Sequence, residues 1–377
     1  MKRIAIPTGE ELPIVGQGCS GIGEDERAES ARSKEQIYAL ELGIDLGMTL
    51  LDTAEGYASG HSEEIVGQVI RGKRDKVFIA TKFSPENHEF PGVIRAAEGS
   101  LRRLKTEYID LYQIHWPNPT VPIEETLRAL EHLRDQGKIR HIGLSNFSAR
   151  EMHVAQSKLL RGQIFSNQVE YNLFDRFIET SIMPHCLSTD ALVLAYSPLD
   201  KGRTVDGDDG RQLLSTLAEK YQRTPSQIAL NWLTSQPSVI AIPKAVRVEH
   251  VRQNAASTDF KLSQEDKEAI AQVCSREPAW IDPGHIRVSL AGEGNKKVYQ
   301  TREEALSNTL GLSPSPTELA EFIRQGEPTK PVRLVKNDDP RDEFPYDLIE
   351  GRLRYWAWVI AFNGERPVPA YIRMGKK

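Results

Sequence analysis

Short apolar runs alternate with longer amphipathic stretches from about residue 13 to residue 275. The runs are rich in Leu, Ile, Val and Tyr and predict buried strands, whereas the stretches repeat their apolar positions every three to four residues and predict helices. The predicted strands lie at about 13–18, 48–52, 76–82, 108–115, 139–144, 164–169, 191–196 and 238–242. The predicted helices lie at about 33–47, 61–71, 91–104, 122–136, 148–160, 177–189, 211–222, 225–235, 247–257 and 263–275. Eight strands alternating with helices favour an α/β fold of the (β/α)8 TIM-barrel type over an open sheet.

The pattern changes after Trp280. The segment Asp282-Pro283-Gly284 breaks regular structure. Shorter predicted elements follow, with helices at about 317–325 and 352–362 and strands at about 332–335, 346–349 and 368–372. This order predicts a small mixed α/β domain that is long enough to hold its own core. We therefore predict two domains, residues 1–280 and residues 281–377.

Composition excludes several classes of function. The 377 residues carry a formal net charge of −5, so an overall basic field for nucleic acid or a membrane surface is absent. The three cysteines are far apart, and neither Cys-x-x-Cys nor His-Glu-x-x-His occurs, so no metal site is expected. The first residues lack the pattern of a signal peptide, and no apolar run reaches the roughly 20 residues of a membrane helix. We expect a cytoplasmic protein, because the cysteine usage suits a reducing compartment.

Four chemically distinct side chains follow the first predicted strands of the barrel: Asp52, Tyr57, Lys82 and His115. Parallel strands gather the residues at their carboxyl ends on one face, so these four are expected to meet. A phenol has an unperturbed pKa of about 10, and a nearby ammonium favours its ionised form. The set suits the movement of a proton to or from a carbonyl oxygen, with Asp52 holding Lys82 and His115 orienting the substrate oxygen. Trp116, next to His115, is expected to line the substrate pocket.

Several candidate residues also have an ordinary structural interpretation. Asp52 and Lys82 can form an ion pair without a catalytic role. Ser145 and Asn146 can cap the helix that is predicted to begin near residue 148. Lys244 can be a solvated surface charge.

Five sequence blocks together resemble the aldo-keto reductases over residues 1–280. They are Asp52–Tyr57 with Gly60–Gly67, Tyr108–Pro117, Gly143–Phe147, Asn167–Asn172 and Ala195–Leu199. The blocks occur in the order found in the family, with Lys82 between Tyr57 and His115. The resemblance implies a TIM barrel that binds NADP(H) and transfers hydride to an aldehyde or ketone, with Asp52, Tyr57, Lys82 and His115 as the catalytic residues and Tyr57 as the general acid.

The same resemblance implies the residues that bind the cofactor. Ser145, Asn146 and Gln168 match positions that hold the carboxamide, and Tyr196 matches the aromatic side chain that stacks on the nicotinamide. Lys244 matches the position that contacts the 2′-phosphate, and Gln253 and Asn254 match the adenine end. Gly18, Cys19, Ser197, Leu199 and Arg247 complete the set. The chain departs from the family at His250, where many relatives have an arginine for the 2′-phosphate, and Arg247 is expected to compensate.

The C-terminal region has a resemblance of its own. The segments Tyr346–Ala357 and Asn363–Ala370 are similar to the ParB/sulfiredoxin fold, in which a Gly-x-x-Arg turn leads into a helix. Gly351 and Arg354 carry this match and are the predicted phosphate-binding pair, so a nucleotide is a candidate ligand. Sulfiredoxin chemistry is not expected, because Arg352 stands where those proteins have their catalytic cysteine.

These patterns lead to one principal hypothesis and two alternatives. The principal one is an NADP(H)-dependent oxidoreductase that acts on a small carbonyl compound or a sugar. One alternative is a regulatory protein that senses NADPH. The other is a nucleotide-binding or transferase activity in the C-terminal domain.

Overall fold

The computed structural model divides the chain into two compact units, Met1–Ser275 and Arg276–Lys377. It describes residues 1–6, 9–24, 31–118, 120–200, 208–274, 278–288, 299–311, 314–337, 339 and 342–373. The division lies five residues before the predicted domain boundary. A short strand at Ala279–Ile281 pairs with the last strand of the chain and thus belongs to the second unit.

The first unit begins with a small antiparallel hairpin, which the sequence pattern did not predict. Its strands are β1 (Arg3–Ala5) and β2 (Glu11–Pro13). Apolar side chains of the hairpin segment, Ile6 and Leu12, belong to the same buried cluster as Leu50, Phe78 and Leu192 of the barrel strands. The hairpin therefore contributes to the core inside the barrel.

Eight parallel strands form the main sheet of this unit. They are β3 (Gln17–Gly18), β4 (Leu50–Asp52), β5 (Phe78–Phe83), β6 (Ile109–Ile114), β7 (Ile139–Ser145), β8 (Ser166–Glu170), β9 (Leu192–Tyr196) and β10 (Val239–Ala241). Each strand pairs with its neighbour in sequence. The sheet closes where Val15 bridges Ala241 and the Gly16 N–H donates to the Ala241 carbonyl at 2.8 Å. The predicted (β/α)8 barrel is thereby confirmed.

Ten helices are described in the first unit. They are α1 (Ala31–Asp45), α2 (His61–Val69), α3 (Phe90–Leu104), α4 (Ile123–Asp135), α5 (Ala149–Lys158), α6 (Ile182–Ser188), α7 (Asp208–Tyr221), α8 (Pro225–Leu233), α9 (Val248–Ala255) and α10 (Gln264–Cys274). Two of them begin at a capping box: Ser148 with Glu151 starts α5, and Thr224 with Gln227 starts α8. Within the described part of the chain, no helix has the length and apolar character needed to cross a membrane.

The second unit is a five-stranded mixed sheet with three described helices. Its elements are β11 (Ala279–Ile281), β12 (Ile286–Val288), α11 (Arg302–Leu306), α12 (Pro316–Arg324), β13 (Val332–Lys336), β14 (Tyr346–Glu350), α13 (Arg352–Ala361) and β15 (Val368–Arg373). The strand order is β11-β15-β13-β14-β12. Its own buried cluster includes Leu334, Leu348, Trp356 and Ala370. A separate C-terminal α/β unit is therefore present, while its finer assignment as ParB/sulfiredoxin-like stays a prediction.

Candidate active site

The ends of three neighbouring strands bring the four predicted catalytic residues together. Asp52 is the last residue of β4, Lys82 lies near the end of β5, and His115 directly follows β6. Tyr57 begins a short 3₁₀ turn, Tyr57–Gly60, that leads into α2. Backbone hydrogen bonds from Thr53 N–H to the Ala80 carbonyl (2.9 Å) and from Glu55 N–H to the Lys82 carbonyl (3.0 Å) continue the β4–β5 pairing into this turn.

Lys82 is a fully buried ammonium with three acceptors. It donates to Asp52 Oδ2 at 2.9 Å, to the Thr53 carbonyl at 2.8 Å and to the Tyr57 hydroxyl at 3.2 Å. Burial on its own lowers the pKa of Lys82, but Asp52 and the Tyr57 oxygen outweigh it, so that the pKa lies above its usual value. Lys82 is therefore charged at neutral pH and is fixed beside the phenol.

The environment of Tyr57 favours the protonated phenol at neutral pH. Burial raises the pKa of Tyr57 above its usual value, and the opposing effect of Lys82 is smaller. The sequence alone predicts only the effect of the ammonium, whereas burial has the larger effect on the pKa of Tyr57 in the folded protein. A protonated phenol beside a fixed positive charge suits a proton donor, because the charge stabilises the phenolate that remains.

His115 is a neutral imidazole at the same site. Burial, with a further contribution from the charge of Lys82, lowers the pKa of His115 to about 3. Its ring meets the Tyr57 ring edge to face, with centroids 5.8 Å apart. A neutral imidazole has one N–H group, which can donate a hydrogen bond to a carbonyl oxygen while Tyr57 supplies the proton. Trp116, next in sequence, is 49% exposed and lines the cleft above this group.

A cleft of about 790 Å³ opens over these residues and runs along the carboxyl ends of the strands. Its lining includes most of the predicted site: Gly18, Asp52, Tyr57, His115, Trp116, Ser145, Asn146, Gln168, Tyr196, Ser197, Leu199, Lys244, Gln253 and Asn254. Lys82 lies beneath Tyr57, since its side chain is fully buried. The cleft is large enough for a dinucleotide cofactor together with a small substrate.

A connected set of hydrogen bonds joins the two halves of the cleft floor. Gln168 Nε2 donates to Asp52 Oδ1 at 2.7 Å, and Ser145 Oγ donates to the Gln168 carbonyl at 3.0 Å. Asn146 Nδ2 donates to the His115 carbonyl at 3.0 Å, and the Tyr196 hydroxyl donates to Asn146 Oδ1 at 3.0 Å. The side chains predicted to hold the cofactor are thus bonded to the Asp52 carboxylate and to the backbone of His115.

The structure decides against the helix-cap interpretation of Ser145 and Asn146. Ser148, not either of these residues, caps α5. Asn146 instead has a left-handed backbone with φ of 64°, a conformation that asparagine tolerates better than most residues. Both side chains line the cleft.

Two predicted cofactor residues, Cys19 and Arg247, lie outside the cleft lining. The Cys19 side chain is completely buried and its thiol lies 3.9 Å from the Gln17 carbonyl, so it does not line the cleft. Burial raises the pKa of Cys19 to about 12. Arg247 is exposed at the start of α9 and is also absent from the lining. A thiol turned into the core and a guanidinium turned to solvent cannot be recognised from sequence spacing.

Other lining residues were not predicted as cofactor ligands. They are Ser20, Gly21, Glu24, Pro198, Ser226, Ile242, Pro243 and His250. The glycine-rich stretch after the first strand was the available signal for the first three. Gly18 is constrained by barrel closure, because a Cβ there would lie 2.7 Å from the Ile242 carbonyl oxygen. Lys244 Nζ reaches across the cleft to the Gly21 carbonyl at 3.4 Å.

In the second unit, the predicted phosphate-binding pair lies at the start of α13. Gly351 precedes the helix with φ of 93°. Arg354 donates to the carbonyls of Lys330 at 2.7 Å and Pro331 at 3.1 Å. The structure therefore places the two residues together but engages the guanidinium with backbone oxygens. Among the residues that the structure describes, no His, Cys, Asp and Glu side chains cluster as metal ligands.

Comparison with known proteins gives consistent matches over the barrel. The sequence model of the "Aldo/keto reductase family" matches residues 15–274. Methylglyoxal reductase YeaE of Escherichia coli (strain K12) is 41% identical over 263 residues, covering 70% of this chain and 91% of that protein. The crystal structure of the thermostable aldo-keto reductase Tm1743 has a TM-score of 0.69 at 40% identity, covering 72% of this chain and all of that one. The aldo-keto reductase from Klebsiella pneumoniae in complex with NADPH has a TM-score of 0.68 at 38% identity, covering 73% and 96%.

Proposed function

The chain belongs to the aldo/keto reductase family, and we propose that it reduces a small aldehyde or ketone with NADPH, using Tyr57 as the proton donor. The observation that carries this proposal is the contact between the Tyr57 hydroxyl and the Lys82 ammonium at 3.2 Å on the floor of the cleft. A phenol in contact with a buried ammonium, which is itself held by Asp52, is arranged for proton transfer to a developing alkoxide.

The cleft offers the chemistry that NADPH requires. Ser145, Asn146 and Gln168 provide polar groups for the carboxamide, and Tyr196 provides an aromatic face for the nicotinamide. Lys244 supplies a positive charge at the other part of the cleft, where Gln253 and Asn254 provide side-chain amides. Solved relatives in complex with NADPH support this assignment. When bound, the cofactor supplies the hydride.

The residues of the chain then account for the proton. His115 and Tyr57 hold the carbonyl oxygen of the substrate, and Tyr57 gives its proton to that oxygen as the carbon accepts hydride. The products are an alcohol and a tyrosine phenolate, which regains its proton from solvent. Lys82, 2.9 Å from Asp52, stabilises the phenolate by its charge and need not move during the step.

The substrate class follows from the relatives and the site together. The match to the relative named methylglyoxal reductase covers 91% of the length of that relative. Among the described lining residues, the half of the cleft around Tyr57, His115 and Trp116 has no cationic side chain that would select a carboxylate. We therefore propose small uncharged aldehydes and ketones, including dicarbonyl compounds and open-chain sugars, as substrates.

The test is the Tyr57→Phe variant, assayed by loss of NADPH absorbance with a panel of aldehydes, ketones and sugars. General acid catalysis contributes typically 10²–10⁴-fold, so kcat should fall by about that factor. NADPH binding, followed by fluorescence, should persist because only one oxygen is removed. Turnover by Tyr57→Phe close to that of the wild type would contradict the assignment of Tyr57. Binding of NADPH without turnover of any substrate in the panel would favour the regulatory alternative.

For the second unit, we propose from the resemblance that it has a ParB/sulfiredoxin-like fold and binds a phosphate group at Gly351 and Arg354. The left-handed Gly351 directly before α13 supports this idea, since the N-terminal turn of a helix is a common binding place for phosphate. Calorimetric titration of the full chain with ATP, ADP and CTP tests it. Heat of binding that disappears in Arg354→Ala supports the site, and no heat with any nucleotide refutes it.

A further inference from the structure

Glu55 lies two residues before Tyr57 and outside the cleft lining. Its side chain is largely buried, with 13% exposed. A carboxylate in such a place needs hydrogen-bond donors, and the structure shows where they come from. They belong to the loop that follows β5, the strand that carries Lys82.

Glu55 contacts the end of β5 and its loop from two sides. Its backbone N–H donates to the Lys82 carbonyl at 3.0 Å. Its carboxylate oxygen Oε1 accepts the Ser84 backbone N–H at 2.7 Å and the Asn87 side-chain N–H at 2.8 Å. The turn that carries Tyr57 is thus bonded, through both the backbone and the side chain of Glu55, to Lys82 and to the loop that follows it.

The same loop is bonded to the third catalytic segment. Asn118 Nδ2, in the loop after β6, donates to the Pro85 carbonyl at 2.9 Å. His115 at the start of that loop donates its backbone N–H to the Phe83 carbonyl at 3.2 Å. Glu55 therefore links the turn that carries Tyr57 to the loop after Lys82, and further hydrogen bonds link that loop to the segment that begins at His115.

We propose that Glu55 is a positioning residue for proton transfer, which fixes the Tyr57 hydroxyl against Lys82 by clamping the Tyr57 turn to residues 84–87. This inference rests on the proposed function of Tyr57. Glu55 acts through the backbone of its own turn, because it does not line the cleft and its carboxylate accepts hydrogen bonds from Ser84 and Asn87.

The chemistry of the contacts explains why a carboxylate occupies this position. One oxygen accepts two N–H groups, and hydrogen bonds to a charged acceptor are roughly twice as strong as neutral ones. The other oxygen lies 4.0 Å from the Arg103 guanidinium, which also binds the fully buried Glu63. Loss of the carboxylate leaves the Ser84 N–H and the Asn87 amide without this acceptor and frees the turn to move. A displacement of about 1 Å at a reacting group can cost about 10²-fold in rate.

The test compares Glu55→Ala and Glu55→Gln with the wild type at saturating NADPH. We expect Glu55→Ala to lower kcat by about 10–100-fold, whereas the affinity for NADPH and the KM of the carbonyl substrate change by less than about threefold. Glu55→Gln keeps one acceptor oxygen and should recover part of the rate. The solvent isotope effect on kcat should rise in Glu55→Ala, because proton transfer from a displaced Tyr57 becomes more strongly rate-limiting.

A variant of Asn87, which donates a hydrogen bond to Glu55, provides a second test of the positioning role. Asn87→Asp removes one donor and sets a like charge against Glu55, so it should lower kcat in the same way. Glu98→Gln is the matched control, because it removes an equal charge from α3. Glu98 does not line the cleft, and its carboxylate lies 3.0 Å from the Lys138 ammonium. This variant should leave kcat and the isotope effect unchanged.

The outcomes separate this inference from the proposed function. If wild-type protein shows no NADPH-dependent turnover, or Tyr57→Phe keeps full turnover, the proposed function itself fails. If the wild type is active and requires Tyr57, but Glu55→Ala keeps kcat and the solvent isotope effect, the positioning role is refuted. A fall in melting temperature with unchanged kcat in the folded enzyme refutes it as well, since it shows a structural role only.

Discussion

Lys82 directs all three of its N–H groups to partners inside the barrel before any cofactor or substrate arrives. Charged groups that are already held in place need no reorganisation when charge develops during a reaction, and this is a major source of catalytic rate. His115 is held neutral by burial, with its pKa lowered to about 3. The ammonium, the phenol and the imidazole therefore keep distinct protonation states at neutral pH, and each can do a separate task.

In the part of the cleft lined by Gln253 and Asn254, Lys244 is the side chain expected to bind the 2′-phosphate of NADPH. It is exposed, and its Nζ reaches the Gly21 carbonyl at 3.4 Å. Lys244→Ala should weaken NADPH binding by about tenfold to over a hundredfold, since a charge-assisted hydrogen bond is worth roughly 1.5–3 kcal/mol. NADH binding should change little. Fluorescence titration with both cofactors measures the difference.

Arg247→Ala is the matched control for Lys244. Its guanidinium is exposed and does not line the cleft, so its removal should affect NADPH much less than Lys244→Ala does. An equal loss of NADPH and NADH affinity in Lys244→Ala would show that this lysine does not read the phosphate. A larger effect of Arg247→Ala would restore the role that the sequence first suggested for it.

His88 makes the stability of the barrel depend on pH. It is 1% exposed, its Nε2 has no hydrogen-bond partner among the described residues, and burial lowers its pKa to about 4. An unfolded chain has a histidine pKa of about 6.5, so the unfolded state takes the proton first as pH falls. The stabilising contribution of neutral His88 is therefore full above pH 6.5 and is lost as pH falls toward 4, at about 1.4 kcal/mol per pH unit.

The measurement is the free energy of unfolding in urea at pH 7 and pH 5. The loss between these pH values should be about 2 kcal/mol smaller in His88→Leu than in the wild type. His132→Gln, a change at an exposed histidine, should keep the wild-type pH dependence. Identical pH dependence in His88→Leu and wild type would mean that His88 is not held neutral by the fold.

The sequence predicted which proposed catalytic residues would meet better than it predicted which proposed cofactor residues would line the cleft, and the reason is geometric. Asp52, Lys82 and His115 are at strand ends, where the barrel topology alone determines that they meet. Cys19 directly follows the strand β3, and Arg247 stands at the start of the helix α9. At such positions a small change in backbone direction turns a side chain into the core or toward solvent. The pKa of Tyr57 was argued from Lys82 only, because burial becomes visible only when the fold is known.

At the scale of elements, long periodic segments were predicted within a few residues, and several short strands outside the alternating pattern of the barrel were missed. The strand predicted at 108–115 is β6, Ile109–Ile114. The hairpin β1–β2 and the strands β11 and β12 have only three residues each, too few to show a period. The helix predicted at 177–189 is interrupted at Ser181, and α6 begins at Ile182. Pro184 lacks an N–H and suits the first turn of a helix better than its interior.

Two helical glycines offer a paired test of how α2, which follows the Tyr57 turn, packs on its neighbour. A Cβ at Gly67 of α2 would lie 2.7 Å from the Arg103 carbonyl oxygen and 2.8 Å from that of Leu104, at the end of α3. Gly67→Ala should therefore lower the free energy of unfolding by about 1–3 kcal/mol, because backbone atoms must move apart.

Gly99 of α3 is the matched control. A Cβ there would meet only the end of the Arg103 side chain, at 3.1 Å. Gly99→Ala should leave stability unchanged or raise it by up to about 1 kcal/mol, since alanine is the better helix former. Urea unfolding of the two variants is the measurement. Equal effects at both positions would show that contact between α2 and α3 is looser than the structure indicates.

At the scale of the whole molecule, each unit has a core built from its own residues. The buried clusters of the barrel lie within residues 1–275, and the cluster of the second unit lies within residues 276–377. The sequence predicted two domains because the periodic pattern changes near Trp280. The predicted boundary at residue 280 falls within the three-residue strand β11, which is too short to be recognised in the sequence.

The separate cores predict that a chain truncated after Ser275 folds and binds NADPH with nearly the affinity of the full chain. Barrel closure at Val15 and Ala241 and the whole predicted cofactor site are retained. The solved relative Tm1743 is covered completely by 72% of this chain, so a comparable length suffices for a folded protein. Thermal unfolding followed by circular dichroism and fluorescence titration with NADPH are the measurements.

A second truncated chain, ending at Leu262, tests whether α10 is needed for the barrel to fold. It removes α10, in which Ile270 is fully buried, the Lys267 carbonyl accepts the Trp232 indole N–H at 3.2 Å, and the Ala271 carbonyl accepts Arg176 at 2.8 Å. Loss of these contacts opens the outer core beside α8 and leaves buried donors without acceptors, which is costly. The chain ending at 262 should therefore fail to fold cooperatively. Equal behaviour of the two truncated chains would show that α10 is not part of the barrel's core, and failure of both would show that the first unit depends on the second.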